Sequence, residues 1–225
     1  MIGYHHLTAF FIAFCIPQNL FAQPPQVSAQ PVVLSIFEMT PELRKGGYLF
    51  VMRHERTGLE AATDDYSKPI TECRSQRNLS LAGIAGAAET GAAIKQLGIP
   101  VGQVLASPMC RTMETARFAF GGAEAASLLV HHNNVPGRDG KVAGAEMRQL
   151  VATLVPAMSN IVLISHYTNI AEGLGPKLDE GEIAVMKKDA AGIWMLVGQA
   201  TGSEWNKAAR NIPMPPASGI QREAK

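Results

Sequence analysis

The stretch Tyr48-Leu49-Phe50-Val51-Met52, followed at once by Arg53-His54, decides the fold. Its apolar residues do not alternate with polar ones, so the segment reads as a strand buried on both faces, the habit of a parallel sheet covered by helices. Working outward, Ser80 is set as the N-cap of an Ala-rich helix that Gly98 and Pro100 stop. The alternation then repeats. A short strand at 103–106 precedes a helix at 112–120, ended by Gly121-Gly122, and a strand is expected at 127–131 before a helix at 145–154. A second fully apolar strand follows at 161–165, and segments 182–187 and 193–197 flank Asp189-Ala190-Ala191-Gly192 as a closing hairpin. Strands and helices in this order predict an α/β protein, a three-layer α/β/α sandwich whose mostly parallel sheet carries an antiparallel edge strand.

The placement of a few polar residues says more than the strands themselves. Ligands of open parallel sheets bind outside the carboxyl ends of the strands. Arg53 and His54 directly follow the first strand, Ser107-Pro108 and then Arg111 follow the second, and His166 directly follows the strand at 161–165. Segments far apart in the chain thus deliver two Arg and two His to one edge of one sheet.

Bulk properties exclude several classes. The 225 residues are 47% hydrophobic and 17% charged, and 20 Lys and Arg against 19 Asp and Glu leave a formal charge of +1. That balance gives no reason to expect nucleic acid as a partner, and any anion must be held by a few placed cations. No Asp, Glu, Lys or Arg precedes Glu38, and the apolar run at 7–16 is too short for a membrane span but suits the core of a signal peptide. Small residues follow, with Val27-Ser28-Ala29 as the cleavage site, so residues 1–29 are expected to be a leader, 30–46 a lead-in, 47–200 the domain and 201–225 an irregular Pro-containing tail. The expected location is periplasmic or secreted, with no stable membrane span in the mature chain. Cleavage would remove Cys15 and leave Cys73 and Cys110, an even count that favours a disulfide in an exported protein over two unrelated thiols.

Phosphoryl transfer needs positive charge around the non-bridging oxygens of a dianion, and Arg meets them with a planar fork that stays charged. Arg53 and Arg111 are suited to hold a phosphate. His54 is placed to attack phosphorus as a neutral imidazole, forming a covalent intermediate, and His166 to donate to a phosphoryl oxygen. No metal or cofactor is required by this set, and His131-His132, read as neighbours on a strand, would point to opposite faces rather than share a ligand.

At these residues the chain resembles the histidine phosphatase superfamily, with its phosphoglycerate-mutase-like fold. Arg53-His54 looks like the Arg-His-Gly signature. In order come Arg77-Asn78-Leu79-Ser80 with Gly83, Ser107-Pro108-Met109-Cys110-Arg111-Thr112 with Glu114-Thr115-Ala116, Ser165-His166, and Gly181-Glu182. The resemblance implies His54 as the phosphohistidine nucleophile, Arg53 and Arg111 as phosphate ligands, His166 as the second histidine, and the backbone N–H of Tyr167 as a further donor. It strengthens the Cys73–Cys110 pairing, since the bridge would fix the approach to Arg111, and Arg77 would either approach the phosphate or brace the loop carrying Cys73. Among subgroups it is similar to small exported bacterial members related to lipopolysaccharide-core heptose phosphatases.

Two departures stand out. Glu55 replaces the glycine of the signature, where it either crowds the phosphate or points away. No carboxylate follows the third strand, so the proton donor for the leaving group would be Glu55, Asp139, Glu146 or none. The expected function is an exported, metal-independent phosphatase acting on a small phosphorylated substrate or a phosphorylated glycan or lipid. The alternatives are a catalytically poor phosphate-binding protein and a protein-histidine phosphatase.

Overall fold

The computed structural model describes residues 34–58, 63–155 and 157–211. The leader read at 1–29 and the last part of the tail, 212–225, lie outside the described residues. Six strands form one sheet: β1 (Tyr48–Arg53), β2 (Val101–Ala106), β3 (Glu124–Ala125), β4 (Asn160–Ser165), β5 (Ile183–Lys188) and β6 (Trp194–Ala200), in the order β3-β2-β4-β1-β5-β6. β1, β2, β3 and β4 run parallel, and the antiparallel pairings β1–β5 and β5–β6 close one side. The three-layer sandwich with a mostly parallel sheet is therefore as expected.

β1 is central, and its side chains divide between two cores. Tyr48, Phe50 and Met52 face a layer made by α1 (Ile36–Leu43), α2 (Leu81–Gln96), α3 (Cys110–Phe120) and α6 (Gly202–Arg210). Leu49 and Val51 face α4 (Gly140–Thr153) and α5 (Tyr167–Leu174) on the other side. The period of two in a strand explains why all five positions must be apolar. Among the described residues no helix is long and apolar enough to cross a membrane.

Several local readings need correction. The strand expected at 127–131 is instead a 3-10 turn, Ser127–Leu129, while the third strand is the short β3 just before it. The helix expected from 145 begins at Gly140, because the Asp139 carboxylate accepts the Val142 N–H at 2.9 Å and caps it. The lead-in contains α1, and the tail read as irregular begins with α6. Both helices open on reciprocal capping boxes, Ser35 with Glu38 and Thr201 with Glu204, a local signal that the Pro residues further on outweighed.

α6 belongs to the core: Trp205 is fully buried, its ring 5.7 Å from that of Phe50 on β1. Trp205→Ala is expected to destabilise the fold by about 3–5 kcal/mol, the usual cost of emptying such a site. Urea unfolding measures it, and a loss within experimental error of zero would show that α6 is an appendage.

Candidate active site

The hydrogen-bond ladder of the sheet continues past the strand ends and places the site. The His54 N–H donates to the Ser165 carbonyl at 3.0 Å, and the Ser107 N–H donates to the Ile164 carbonyl at 3.0 Å. These bonds set the ends of β1, β2 and β4 side by side, so His54, Ser107 and His166 meet at one edge. The imidazoles of His54 and His166 lie 5.5 Å apart, edge to face. His54, Arg111 and His166 are almost wholly buried, at 2%, 2% and 1% exposure.

Several motif residues in the segment 107–116 have a physical task. Thr112 Oγ1 bonds the carbonyls of Ser107 and Met109 and closes the turn into α3. Ser107 Oγ meets His166 Nε2 at 2.9 Å. Thr115 Oγ1 donates to the Arg111 carbonyl and accepts the Glu55 N–H at 3.0 Å, tying α3 to the backbone beside His54. Cys73 and Cys110 form a disulfide, and the Cys110 N–H donates to Gln76 Oε1, so the loop before α2 is anchored next to Arg111.

The protonation of the histidines follows from their partners. His54 Nδ1 lies 2.9 Å from the Glu55 carbonyl, which can only accept, so Nδ1 carries the hydrogen and the Nε2 lone pair is free. Burial and then the Arg111 guanidinium push the His54 pKa down to about 3, against the backbone bond to Glu55, which raises it. His54 is thus a neutral imidazole over the physiological range. Burial, followed by Arg111, also holds His166 well below its ordinary value.

The surrounding donors suit the pocket to negative charge. Arg53 Nε, Arg77 Nε, Arg111 Nε and His166 Nδ1 are enclosed and have no hydrogen-bond partner among the described residues. Buried polar groups are nearly always satisfied, and such a group of orphans in one place marks a ligand position. Arg77, left open between the phosphate and the Cys73 loop, joins the cluster and also packs its carbonyl against Arg111 at 3.5 Å. Tyr167 opens α5 and lies under the Arg53 guanidinium, 5.6 Å from ring to cation. The first-turn N–H groups of α5, that of Tyr167 among them, have no intrahelical partner.

Two carboxylates absent from the sequence expectations also enter the cluster. Glu180 Oε1 lies 3.5 Å from Arg53, 3.7 Å from Arg77 and 4.0 Å from His54 Nδ1, while its carboxylate accepts the Thr57 N–H and hydroxyl. Asp64 Oδ1 accepts Arg111 Nη1 and the Arg77 N–H, each at 2.9 Å. Glu180 directly precedes the Gly181-Glu182 match, and the Gly181 N–H binds the His54 carbonyl at 3.0 Å, so that pairing was the available signal. Asp64 lies in a loop with no readable pattern.

The three acids considered from sequence are each engaged by other partners. Glu55 is buried with its carboxylate between Gly86 and Gly181, where an added Cβ would come within 2.9 and 2.5 Å of it. Burial raises its pKa, opposed by the Arg56 N–H. Among the described residues every positive-φ position is glycine, so residue 55 does not require glycine's conformational freedom. Asp139 caps α4, and Glu146 pairs with Arg138. His131 and His132 are not on a strand: their rings lie 4.3 Å apart, and His131 meets the edge of His166 at 5.2 Å.

No protein-family model and no curated protein matches the chain. Solved structures do. A phosphoserine phosphatase mutant from Entamoeba histolytica in complex with phosphoserine aligns with a TM-score of 0.53 at 15% identity, over 70% of this chain and 98% of that one. The same organism's phosphoserine phosphatase in complex with 3-phosphoglyceric acid gives 0.50 at 17% identity over the same shares. The protein histidine phosphatase SixA complexed with tungstate aligns at 22% identity, over 69% of this chain and 97% of that one, with a TM-score of 0.47. At these identities the likeness is one of fold, the phosphoglycerate-mutase-like sandwich.

The depressed histidines carry a stability consequence. Folded His131 titrates at about 4, held down by burial and then by His132, and His54 at about 3. Unfolded His titrates near about 6.5, so the unfolded chain binds more protons between these values and stability falls as pH drops from about 6.5 towards 4. His131→Asn is expected to flatten that fall in the urea midpoint. An unchanged slope would remove His131 as a contributor.

Proposed function

We propose that the chain hydrolyses a phosphomonoester through a phosphohistidine formed on His54. One observation carries this: buried donors of Arg53, Arg77, Arg111 and His166 have no partner among the described residues, and the three guanidiniums act on a neutral imidazole whose Nε2 is unprotonated. A phosphate dianion supplies the acceptors those donors lack. Binding would draw the guanidiniums away from Asp64 and Glu180 and onto the equatorial oxygens, where charge develops during transfer. Nε2 then forms a bond to phosphorus as the bond to the leaving oxygen breaks. Water hydrolyses the N–P bond in the second step and releases phosphate, regenerating the imidazole.

His166 has a defined part. Ser107 Oγ takes the Met109 N–H at 3.5 Å and is free to donate its hydrogen to Nε2. That leaves the imidazole's own proton on Nδ1, facing the phosphoryl oxygens. Tyr167 adds its backbone N–H and keeps Arg53 in place through its ring. The side chains supply the needed positive charge themselves, so activity is expected without a metal.

The substrate class proposed is a small phosphorylated metabolite or a phosphorylated glycan or lipid met outside the cytoplasm. The apolar leader-like segment at 7–16 supports export, and a disulfide beside Arg111 is the kind of bond an oxidising compartment preserves. A location in the periplasm or beyond the cell, and kinship with the heptose phosphatase branch, belong to the same proposal. Export weighs against phosphorylated cytoplasmic proteins as substrates. The alternative of a catalytically poor phosphate-binding protein draws on Glu55, and the carboxylate of that residue lying between Gly86 and Gly181 favours the enzyme reading.

Hydrolysis of p-nitrophenyl phosphate by the full chain is the test. Turnover is expected to survive EDTA and to fall by about 10⁴-fold or more in His54→Ala. Equal rates in wild type and variant would reject the mechanism, and phosphate binding without turnover would restore the binding protein.

A further inference from the structure

Alkoxide leaving groups need a proton as the P–O bond breaks, and the acid must stand across the phosphate from the attacking nitrogen. Glu180 is on the wrong side for this. It contacts His54 at Nδ1, the ring edge away from the nucleophilic nitrogen, and its oxygens are taken up by Thr57, Arg53 and Arg77. Glu55, Asp139 and Glu146 are engaged elsewhere.

Asp64 is placed differently. Its Oδ1 binds Arg111 Nη1 and the Arg77 N–H, and among the described residues its Oδ2 meets only the Tyr66 hydroxyl, at 3.3 Å. The Tyr66 ring stacks on His131 at 6.2 Å, and His131 abuts His166, so Asp64 lies on the His131–His166 flank of the pocket and not at the His54 Nδ1 edge. Its position relative to Arg111 is fixed by several bonds. The Asp65 N–H donates to the Ser75 carbonyl at 2.8 Å, and the same loop is joined to the start of α3 by Cys73–Cys110 and by the Gln76 bond to the Cys110 N–H.

We propose that Asp64 is the catalytic acid and base of the reaction, which suits the site to phosphate esters of aliphatic alcohols such as sugars. The inference rests on the phosphohistidine reading. When phosphate takes the Arg111 guanidinium, Asp64 faces a second anion, and like charge makes its carboxyl hold a proton more tightly. In the first step Nε2 bonds to phosphorus, the P–O bond breaks, and the Asp64 proton passes to the departing oxygen, giving the neutral alcohol. In the second, the Asp64 carboxylate takes a proton from water as the water oxygen bonds to phosphorus and the N–P bond breaks. Phosphate leaves, Arg111 returns to Asp64, and the carboxyl releases its proton to solvent, to take one up again when the next substrate draws Arg111 away.

The test compares phenyl phosphate, a poor leaving group, with p-nitrophenyl phosphate, a good one, on the full disulfide-bonded chain. Asp64→Asn keeps an oxygen for Arg111 and Arg77 but cannot supply the proton. The ratio of phenyl to p-nitrophenyl turnover is expected to fall about 100-fold. Asp64→Glu is expected to recover part of it, and circular dichroism and a free-thiol assay confirm that each variant is folded and bridged. A proportional fall in both rates would make Asp64 a structural anchor and overturn the proposal while leaving the phosphatase reading intact. Transfer of the ratio change to His131→Gln would also overturn it. A wild-type chain without turnover on either ester would overturn both.

Discussion

The parallel pairing of β1 with β4 is the constraint on which the rest depends. Its register sets Arg53 opposite Ser165, and one more rung, the His54 N–H to the Ser165 carbonyl, carries the pairing beyond the sheet. Because each strand ends at that rung, the residues that follow leave the ladder together and turn their side chains into a shared space. β2 repeats the device against β4 and brings Ser107 and the start of α3. The apolar character of β1 and β4 therefore has a functional consequence: two strands buried on both faces cannot slip by one residue without moving every side chain to the wrong core. The positions of His54 and His166 inherit that rigidity.

The second theme is charge held out of water. Arg111 is buried, and Arg53 and Arg77 approach it from other segments. Gathering guanidiniums in this way is costly unless anions accompany them. Asp64 and Glu180 provide the anions, one from each side, and neutral histidines separate the charges. The arrangement leaves three guanidinium Nε donors without a protein acceptor among the described residues, which suits the pocket to an oxyanion. Burial, and then the cationic field, keeps both histidines unprotonated, as the proposed nucleophile requires.

How much of this was legible in the chain varies with the range of the interaction concerned. The buried strands and the polar residues directly after them could be read, because burial on both faces leaves a local apolar run and a strand end leaves a local break. Ser80 and its helix were legible for the same reason. The helices α1 and α6 were overlooked although their capping boxes are local, since Pro-containing surroundings made the segments look irregular. The two pocket carboxylates were hidden for another reason. Asp64 and Glu180 reach the site from loops, and their partners are 47 residues away in the case of Arg111 and more than a hundred in the case of Arg53. An acid expected after the third strand occupies one position along the chain, whereas the fold gathers acids from elsewhere. The role of Glu55 was likewise undecidable from spacing, because it depends on Gly86 and Gly181, which only the folded chain brings around its carboxylate.

The claim on which the account turns is that His54 attacks through Nε2 because the Glu55 carbonyl holds the hydrogen on Nδ1. The direct measurement is to quench the enzyme during turnover, digest it, and locate the phosphoryl group by mass spectrometry and phosphorus NMR. The account predicts a phosphohistidine at residue 54 with phosphorus on Nε2. A phosphoryl group on Nδ1 or on another residue, or steady turnover without any labelled histidine, would contradict it.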